Sequence, residues 1–174
     1  MDRKMKKLID VLQKRYLYLA MLPMMFLLVG CGGLIGHRSP TGIDNSPQGR
    51  AKVVLKEAER YLGTPYKYGG TSRQGIDCSG LLWNSYKTVN IDLPRRSSEQ
   101  ARIGVSLRQR EIKPGDAVFF NTSGSGISHA GIVQRVKSDE IFFIHSSTSR
   151  GVIVSSLNEN YWNRRFVKAV RYLH

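Results

Sequence analysis

Residues 129–146, HAGIVQRVKSDEIFFIHS, have the pattern of a β-hairpin. Two runs rich in Val, Ile and Phe flank Ser138 and Asp139, and such runs around a short polar turn favour paired strands. His129 begins the first run and His145 lies near the end of the second, so antiparallel pairing brings them together. Because side chains alternate along a strand, a two-residue turn alone would place the two histidines on opposite faces. We therefore expect an odd-length loop or a β-bulge.

The rest of the chain predicts helices first and strands afterwards. Apolar residues at helical spacing, followed by breakers such as Gly63 and Pro65, indicate the helices. The predicted helices span residues 50–62, 78–88 and 97–103, with one more helical turn over 158–165. The further strands are predicted over residues 116–121, 151–156 and 166–173. This order indicates an α+β domain with N-terminal helices packed on a central antiparallel sheet of five to six strands.

Residues 1–30 have the organisation of an export signal. Basic residues precede an apolar run over residues 16–29, which is short for a membrane span and is interrupted by Pro23. Leu28-Val29-Gly30-Cys31 resembles the lipobox of bacterial lipoproteins, in which the cysteine is acylated and becomes the new N-terminus. We expect a lipid anchor on Cys31 and, because no Asp follows it, sorting to the periplasmic face of the outer membrane. The alternative is an uncleaved anchor with an incidental cysteine.

The two cysteines of the chain have different expected roles. Residues 31–48, rich in Gly and Pro, predict a flexible tether, which leaves residues 49–174 as the folded domain. If Cys31 carries a lipid, Cys78 has no partner for an intramolecular disulfide. An unpaired thiol in an oxidising compartment is a liability, so its presence favours a chemical role.

The net charge of +14 favours anionic partners, such as acidic lipid headgroups or a polymer rich in carboxylates. Nucleic acid is not expected as a partner. The export signal argues against it, and the sequence has neither a basic helical stripe nor an aromatic stacking platform. We expect a monomer.

Cys78 lies where a Gly-rich loop turns into a predicted helix. A helix N-terminus stabilises an anion, so this position predicts a lowered thiol pKa and a usable thiolate. A thiolate nucleophile needs an imidazole base, and His129 and His145 are the histidines inside predicted elements. The alternatives are a buried apolar Cys78, two core histidines, or a zinc site. No second cysteine and no His-x-x-x-His pair supports zinc, and we expect neither metal nor cofactor.

Six short motifs follow one another along the chain. They are Gly63-Thr64-Pro65-Tyr66, Tyr68-Gly69-Gly70, Gly75-Ile76-Asp77-Cys78-Ser79-Gly80, Pro114-Gly115-Asp116, His129-Ala130-Gly131-Ile132 and Ile144-His145-Ser146-Ser147. Their order and spacing over residues 50–172 resemble the NlpC family of papain-like cell-wall peptidases. The interval from His129 to His145 is longer than the family pattern, which predicts a lengthened hairpin.

The resemblance implies roles for six residues. Cys78 would be the nucleophile, His129 the base and His145 the third residue, which orients the base. The Tyr66 hydroxyl and the Ser79 backbone N–H would form the oxyanion hole. Asp77 would either bind a substrate amine or cap the helix, and Asp is a preferred cap.

The resemblance also implies a substrate, which is the stem peptide of peptidoglycan. The scissile amide would involve meso-diaminopimelate, joined either to D-glutamate within one stem or to D-alanine across a crosslink, and the sequence leaves both open. Substrate carboxylates have four candidate partners, each with a solvated surface role as the alternative: Arg73, Arg95, Arg96 and Arg150. Two other functions stay open, namely an acyltransferase or amidase on the same scaffold and an inactive wall-binding lipoprotein.

Overall fold

A computed structural model describes residues 44–174 of the chain. The predicted export signal at residues 1–30, the lipidation of Cys31 and the tether up to residue 43 lie outside the described residues. Within the described range, no helix has the length and apolar character that a bilayer crossing requires.

Helix α1 (Pro47–Glu59) begins earlier than predicted. The Ser46 side chain accepts a hydrogen bond from the Gly49 N–H at 3.0 Å, and Pro47 occupies the first turn, where its missing N–H costs nothing. Pro47 and Gln48 therefore belong to the helix and not to the tether. The helix buries Val54 and Ala58 against the core.

Helix α2 (Cys78–Lys87) carries the predicted nucleophile at its first residue. Before it, the Gly-rich loop forms the two-stranded pair β1 (Thr71–Ser72) and β2 (Gly75–Ile76). The loop lies close against the helix start, because a Cβ on Gly80 would lie only 2.4 Å from the Gly70 carbonyl oxygen. A short helix α3 (Ser97–Gln100) follows.

The central sheet has six strands, in the order β3-β8-β4-β5-β6-β7, and every neighbouring pair is antiparallel. Its strands are β3 (Val105–Leu107), β4 (Ala117–Phe120), β5 (His129–Lys137), β6 (Glu140–Ser147), β7 (Gly151–Ser156) and β8 (Phe166–Arg171). A 3₁₀ turn (Gln109–Glu111) follows β3, and helix α4 (Asn160–Asn163) precedes β8. The α+β prediction is confirmed. Among the six strands of this sheet, only β3, a short and largely exposed edge strand, was not predicted, and the short pair β1–β2 in the Gly-rich loop was not predicted either.

The β5–β6 hairpin contains the predicted bulge. Its turn has two residues, Ser138 and Asp139, because Lys137 pairs with Glu140. The register then shifts between Val133 and Arg135, so that one extra residue of β5 has no partner on β6. This shift returns His129 and His145 to one face of the sheet.

The sheet is covered on both faces. Helices α1 and α2 cover one face through a cluster that includes Val54, Leu81, Leu82, Ile132 and Ile144. A second cluster packs beside the other face, with Val118, Phe120, Val133, Phe143 and Trp162. Trp162 comes from α4, which thereby closes the sheet next to the two histidines.

Candidate active site

Backbone N–H groups lie near the sulfur of Cys78. The N–H groups of Ala130 and Ser79, and that of Cys78 itself, favour its thiolate form. Two of these groups belong to the start of α2 and the third to β5, directly after His129. The sheet and the helix therefore meet at the sulfur.

Burial nevertheless raises the pKa of Cys78 to about 11. Only 9% of the residue is exposed, and the cost of removing a negative charge from water exceeds what the N–H groups return. The negative charge of Asp77 adds to the increase. The sequence-based expectation of a lowered thiol pKa is thus wrong for the resting site. A thiolate forms here only if another group accepts its proton.

His129 and His145 form a hydrogen-bonded relay. The distance from His129 Nε2 to His145 Nδ1 is 3.0 Å, and that from His145 Nε2 to Ser155 Oγ is 3.1 Å. If His145 Nε2–H donates to Ser155, then His145 Nδ1 accepts the proton of His129 Nε2–H. That tautomer leaves Nδ1 of His129 unprotonated, which is the form that a base requires.

Burial keeps both imidazoles neutral. It lowers the pKa of His129 from 6.5 to about 4 and, aided by the charges of His129 and Arg150, lowers that of His145 to about 3. His129 is 8% exposed and His145 is fully buried. A neutral His145 can accept a hydrogen bond from His129, whereas a protonated one could not.

Trp162 fixes the position of the two rings. Its indole stacks on His129 at 5.2 Å between ring centroids and contacts the edge of His145 at 4.6 Å. Sequence reasoning assigned no role to Trp162 or Ser155. Both residues are far from His129 along the chain, and no motif in the sequence links them to it.

Asp77 caps helix α2. Its Oδ1 accepts hydrogen bonds from the Gly80 N–H at 2.7 Å and the Ser79 hydroxyl at 3.0 Å, and its Oδ2 accepts one from the Gly69 N–H at 2.8 Å. Arg95 adds two more, at 2.8 and 2.7 Å. Five donors fill the acceptor positions of one carboxylate, so the geometry favours the cap over binding of a substrate amine.

Arg95 is consequently occupied within the protein. Besides Asp77, it donates to the Ser79 hydroxyl at 2.7 Å and the Gly70 carbonyl at 3.2 Å, which joins the loop to the helix start. Burial alone would raise the pKa of Asp77, but the hydrogen bonds from Arg95 and Gly80 outweigh it and lower that pKa. The interpretation of Arg95 as a reader of substrate carboxylates is not supported by this geometry.

Tyr66 and Ser79 lie beside the sulfur. Both line a cavity of about 340 Å³ together with Cys78, Tyr68 and Arg96. Burial and the neighbouring Cys78 raise the pKa of Tyr66, so its hydroxyl stays protonated and can donate. The Ser79 hydroxyl is held by Asp77 and Arg95, so the group of Ser79 that is related to the sulfur of Cys78 is its backbone N–H.

The described part of the chain contains no group of three or more His, Cys, Asp or Glu side chains that could hold a metal ion. Of the other arginines that the sequence singled out, Arg73 donates to the carbonyl of Arg60. Arg150 lines a second cavity, next to His129.

The sequence of the chain matches a protein family and individual bacterial relatives. A model of the NlpC/P60 family matches residues 63–171. The chain is 42% identical over 151 residues to the probable endopeptidase NlpC of Escherichia coli, which covers 83% of this chain and 92% of that protein. It is 36% identical over 121 residues to the murein DD-endopeptidase MepS/murein LD-carboxypeptidase of the same species, which covers 69% and 62%.

A solved structure supports the fold assignment. The crystal structure of an NlpC/P60 family protein from Bacillus cereus matches with a TM-score of 0.64 and 31% identity. The match covers 71% of this chain and 40% of that one, so this chain spans less than half the length of the solved structure.

Proposed function

The chain belongs to the NlpC/P60 family, and on that basis we propose that it is a peptidoglycan endopeptidase with Cys78 as nucleophile. The observation that carries the proposal is the relay of His129, His145 and Ser155, together with the backbone N–H of Ala130, the residue after His129, near the sulfur of Cys78. Two relatives of this chain bear the names of endopeptidases.

The proposed reaction starts from a neutral thiol and a neutral imidazole. The sulfur of Cys78 attacks the amide carbonyl while its proton passes to Nδ1 of His129, and the carbonyl π electrons move to oxygen. The Ser79 N–H and the Tyr66 hydroxyl stabilise that oxyanion. When the tetrahedral intermediate collapses, the C–N bond breaks and the departing amine takes the proton from His129.

Hydrolysis of the thioester completes the cycle. His129 removes a proton from water, the resulting hydroxide attacks the acyl carbon, and the sulfur leaves and regains the proton. His145 stays neutral throughout, because its Nδ1 accepts from His129 Nε2–H whether or not His129 is charged. The chemistry requires no metal or cofactor.

The surroundings of Cys78 favour water over another acyl acceptor. Tyr68, Arg95 and Arg96 line the cavity beside the sulfur, and the cavity is open to solvent with a surface that is about half polar. An acyltransferase would need an acceptor site that excludes water. Hydrolysis is therefore the function proposed, in preference to acyl transfer.

The location and layout proposed for the protein follow from its N-terminal sequence. Residues 1–30 would be removed, and Cys31 would carry the lipid that holds the domain at the outer membrane. The domain, as a monomer, would then act on peptidoglycan from the periplasmic side. A Cys31→Ala variant should remain unacylated and unprocessed, which is measured by the intact mass of the protein purified from the membrane fraction.

The peptidase proposal is tested with intact peptidoglycan. The full-length chain in detergent should release fragments that mass spectrometry identifies, and a Cys78→Ala variant should release none. The masses also identify the bond, since cleavage within a stem and cleavage across a crosslink give different products. Equal release by both proteins would overturn the proposal.

A further inference from the structure

A second groove lies beside His129 and shares no lining residue with the cavity that contains Cys78. It has a volume of about 410 Å³ and is lined by His129, Arg150, Glu159 and Tyr161, among other residues. The first cavity contains Cys78, Ser79 and Tyr66 but not His129, and the second contains His129 but not Cys78. The two halves of a substrate would thus meet different residues.

The proposed chemistry assigns one half to each side. His129 returns its proton to the departing amine, so that amine must face the imidazole. The acyl carbon bonds to Cys78, and its oxygen faces Ser79 and Tyr66. The groove beside His129 is therefore the place for the leaving amino acid, and this assignment rests on the proposed function.

Arg150 offers an unused positive charge in that groove. It lies in the turn between β6 and β7, is exposed, and forms no hydrogen bond or ion pair with any other part of residues 44–174 that the structure describes. Its charge reaches the relay, because it is one of the causes that lower the pKa of His145. A guanidinium in this position can bind a carboxylate through two parallel hydrogen bonds.

Glu159 offers a negative charge in the same groove. It directly precedes α4, and its Oε1 accepts a hydrogen bond from the Ser156 N–H at 2.8 Å. Its second oxygen accepts none from the residues that the structure covers, and Glu159 does not pair with Arg150. One cation and one anion, each with free hydrogen-bonding positions, thus share one groove.

We propose that Arg150 and Glu159 form the subsite for the leaving amino acid and recognise a free carboxylate and a free ammonium group on its far end. When diaminopimelate is released from D-glutamate within a stem, the carbon at its far end carries both a free ammonium and a free carboxylate. In a crosslink, the leaving nitrogen is itself that amino group, so no free ammonium remains. The subsite therefore predicts cleavage of the D-glutamyl to diaminopimelate bond.

The test uses three synthetic peptides, L-alanyl-γ-D-glutamyl-diaminopimelate and two analogues. One analogue has the far carboxylate as a carboxamide, and the other has the far ammonium acetylated. The full-length wild type should cleave the parent peptide with a kcat/KM about 10-fold to 100-fold above that of the carboxamide. Arg150→Gln should lower the rate on the parent to that of the carboxamide, and Glu159→Gln should remove the preference for the free ammonium.

Arg164→Gln is the matched control, because Arg164 is an exposed arginine of the α4 end that does not line this groove. It should keep the wild-type preference. An unfolding temperature of Arg150→Gln equal to that of the wild type would exclude a folding defect. If Arg150→Gln keeps the preference, or the wild type shows none, the subsite is wrong.

The two proposals fail in different ways. A wild type that cuts intact peptidoglycan only across crosslinks overturns the subsite and leaves the peptidase intact. A wild type that acts no better on peptidoglycan than Cys78→Ala overturns the peptidase itself.

Discussion

Acidification should destabilise the fold through the two buried imidazoles. Burial lowers the pKa of His129 from 6.5 to about 4 and that of His145 from 6.5 to about 3. Protons therefore bind the unfolded chain more tightly than the folded one. The stability from these groups is complete above the unfolded pKa and is lost as the pH falls from 6.5 towards the folded values.

The magnitude follows from the size of those shifts. For each histidine that stays neutral in the folded state, the free energy of unfolding falls by about 1.4 kcal/mol for every pH unit below the unfolded pKa. Between pH 7.5 and 5.5 the pair should thus lower the free energy of unfolding by about 2.5 to 3 kcal/mol. The lowered pKa of Asp77 acts only at more acidic pH, because a carboxylate loses its contribution as the pH falls through its own folded value.

Urea unfolding at the two pH values measures this loss. His145→Asn removes one titrating group and keeps an acceptor for His129, so it should show about half the wild-type loss, near 1.3 kcal/mol. His174→Asn is the control, because His174 is exposed at the C-terminus, and it should show the full loss. A wild type whose free energy of unfolding changes by less than about 0.5 kcal/mol would refute the neutral buried pair.

Three further substitutions test the site. Arg95→Gln should cost about 1 to 3 kcal/mol in urea unfolding, because it leaves the buried carboxylate of Asp77 with fewer donors; an unchanged midpoint would show that the pair is dispensable. Trp162→Ala should cost about 3 to 5 kcal/mol and, by exposing His129, move the acidic limb of the pH–rate profile upwards. A limb that stays in place would mean that Trp162 does not control the burial of His129. Tyr66→Phe should lower kcat by about 100-fold with little change in KM, and a change in KM alone would exclude an oxyanion role.

The sequence predicted the hairpin well because one physical constraint acts along it. Strand alternation makes the face of His145 depend on the parity of the turn, and bringing the two imidazoles together requires either an odd-length loop or a bulge. The structure has that bulge between Val133 and Arg135. The start of α2 at Cys78 was equally readable, because Asp77 is a strong N-cap.

The pKa of the Cys78 thiol could not be predicted from the sequence in the same way. A helix start argues for a lowered value, but the outcome depends on how deeply the surrounding loops bury the sulfur, which is a property of tertiary packing. The same holds for Arg95, whose partner Asp77 is 18 residues away. Edge strand β3 escaped prediction because three largely exposed residues carry no alternating pattern.

The most direct test of the central claim is the rate at which Cys78 is alkylated by a stem-peptide analogue that carries a chloromethyl ketone at the scissile position. Peptide mapping of the full-length chain separates Cys78 from Cys31. We expect a single adduct on Cys78 and a rate at least about 100-fold lower in His129→Ala, since the base then cannot take the proton. Alkylation of Cys78 at the same rate with and without His129, or no adduct on Cys78, would contradict the account.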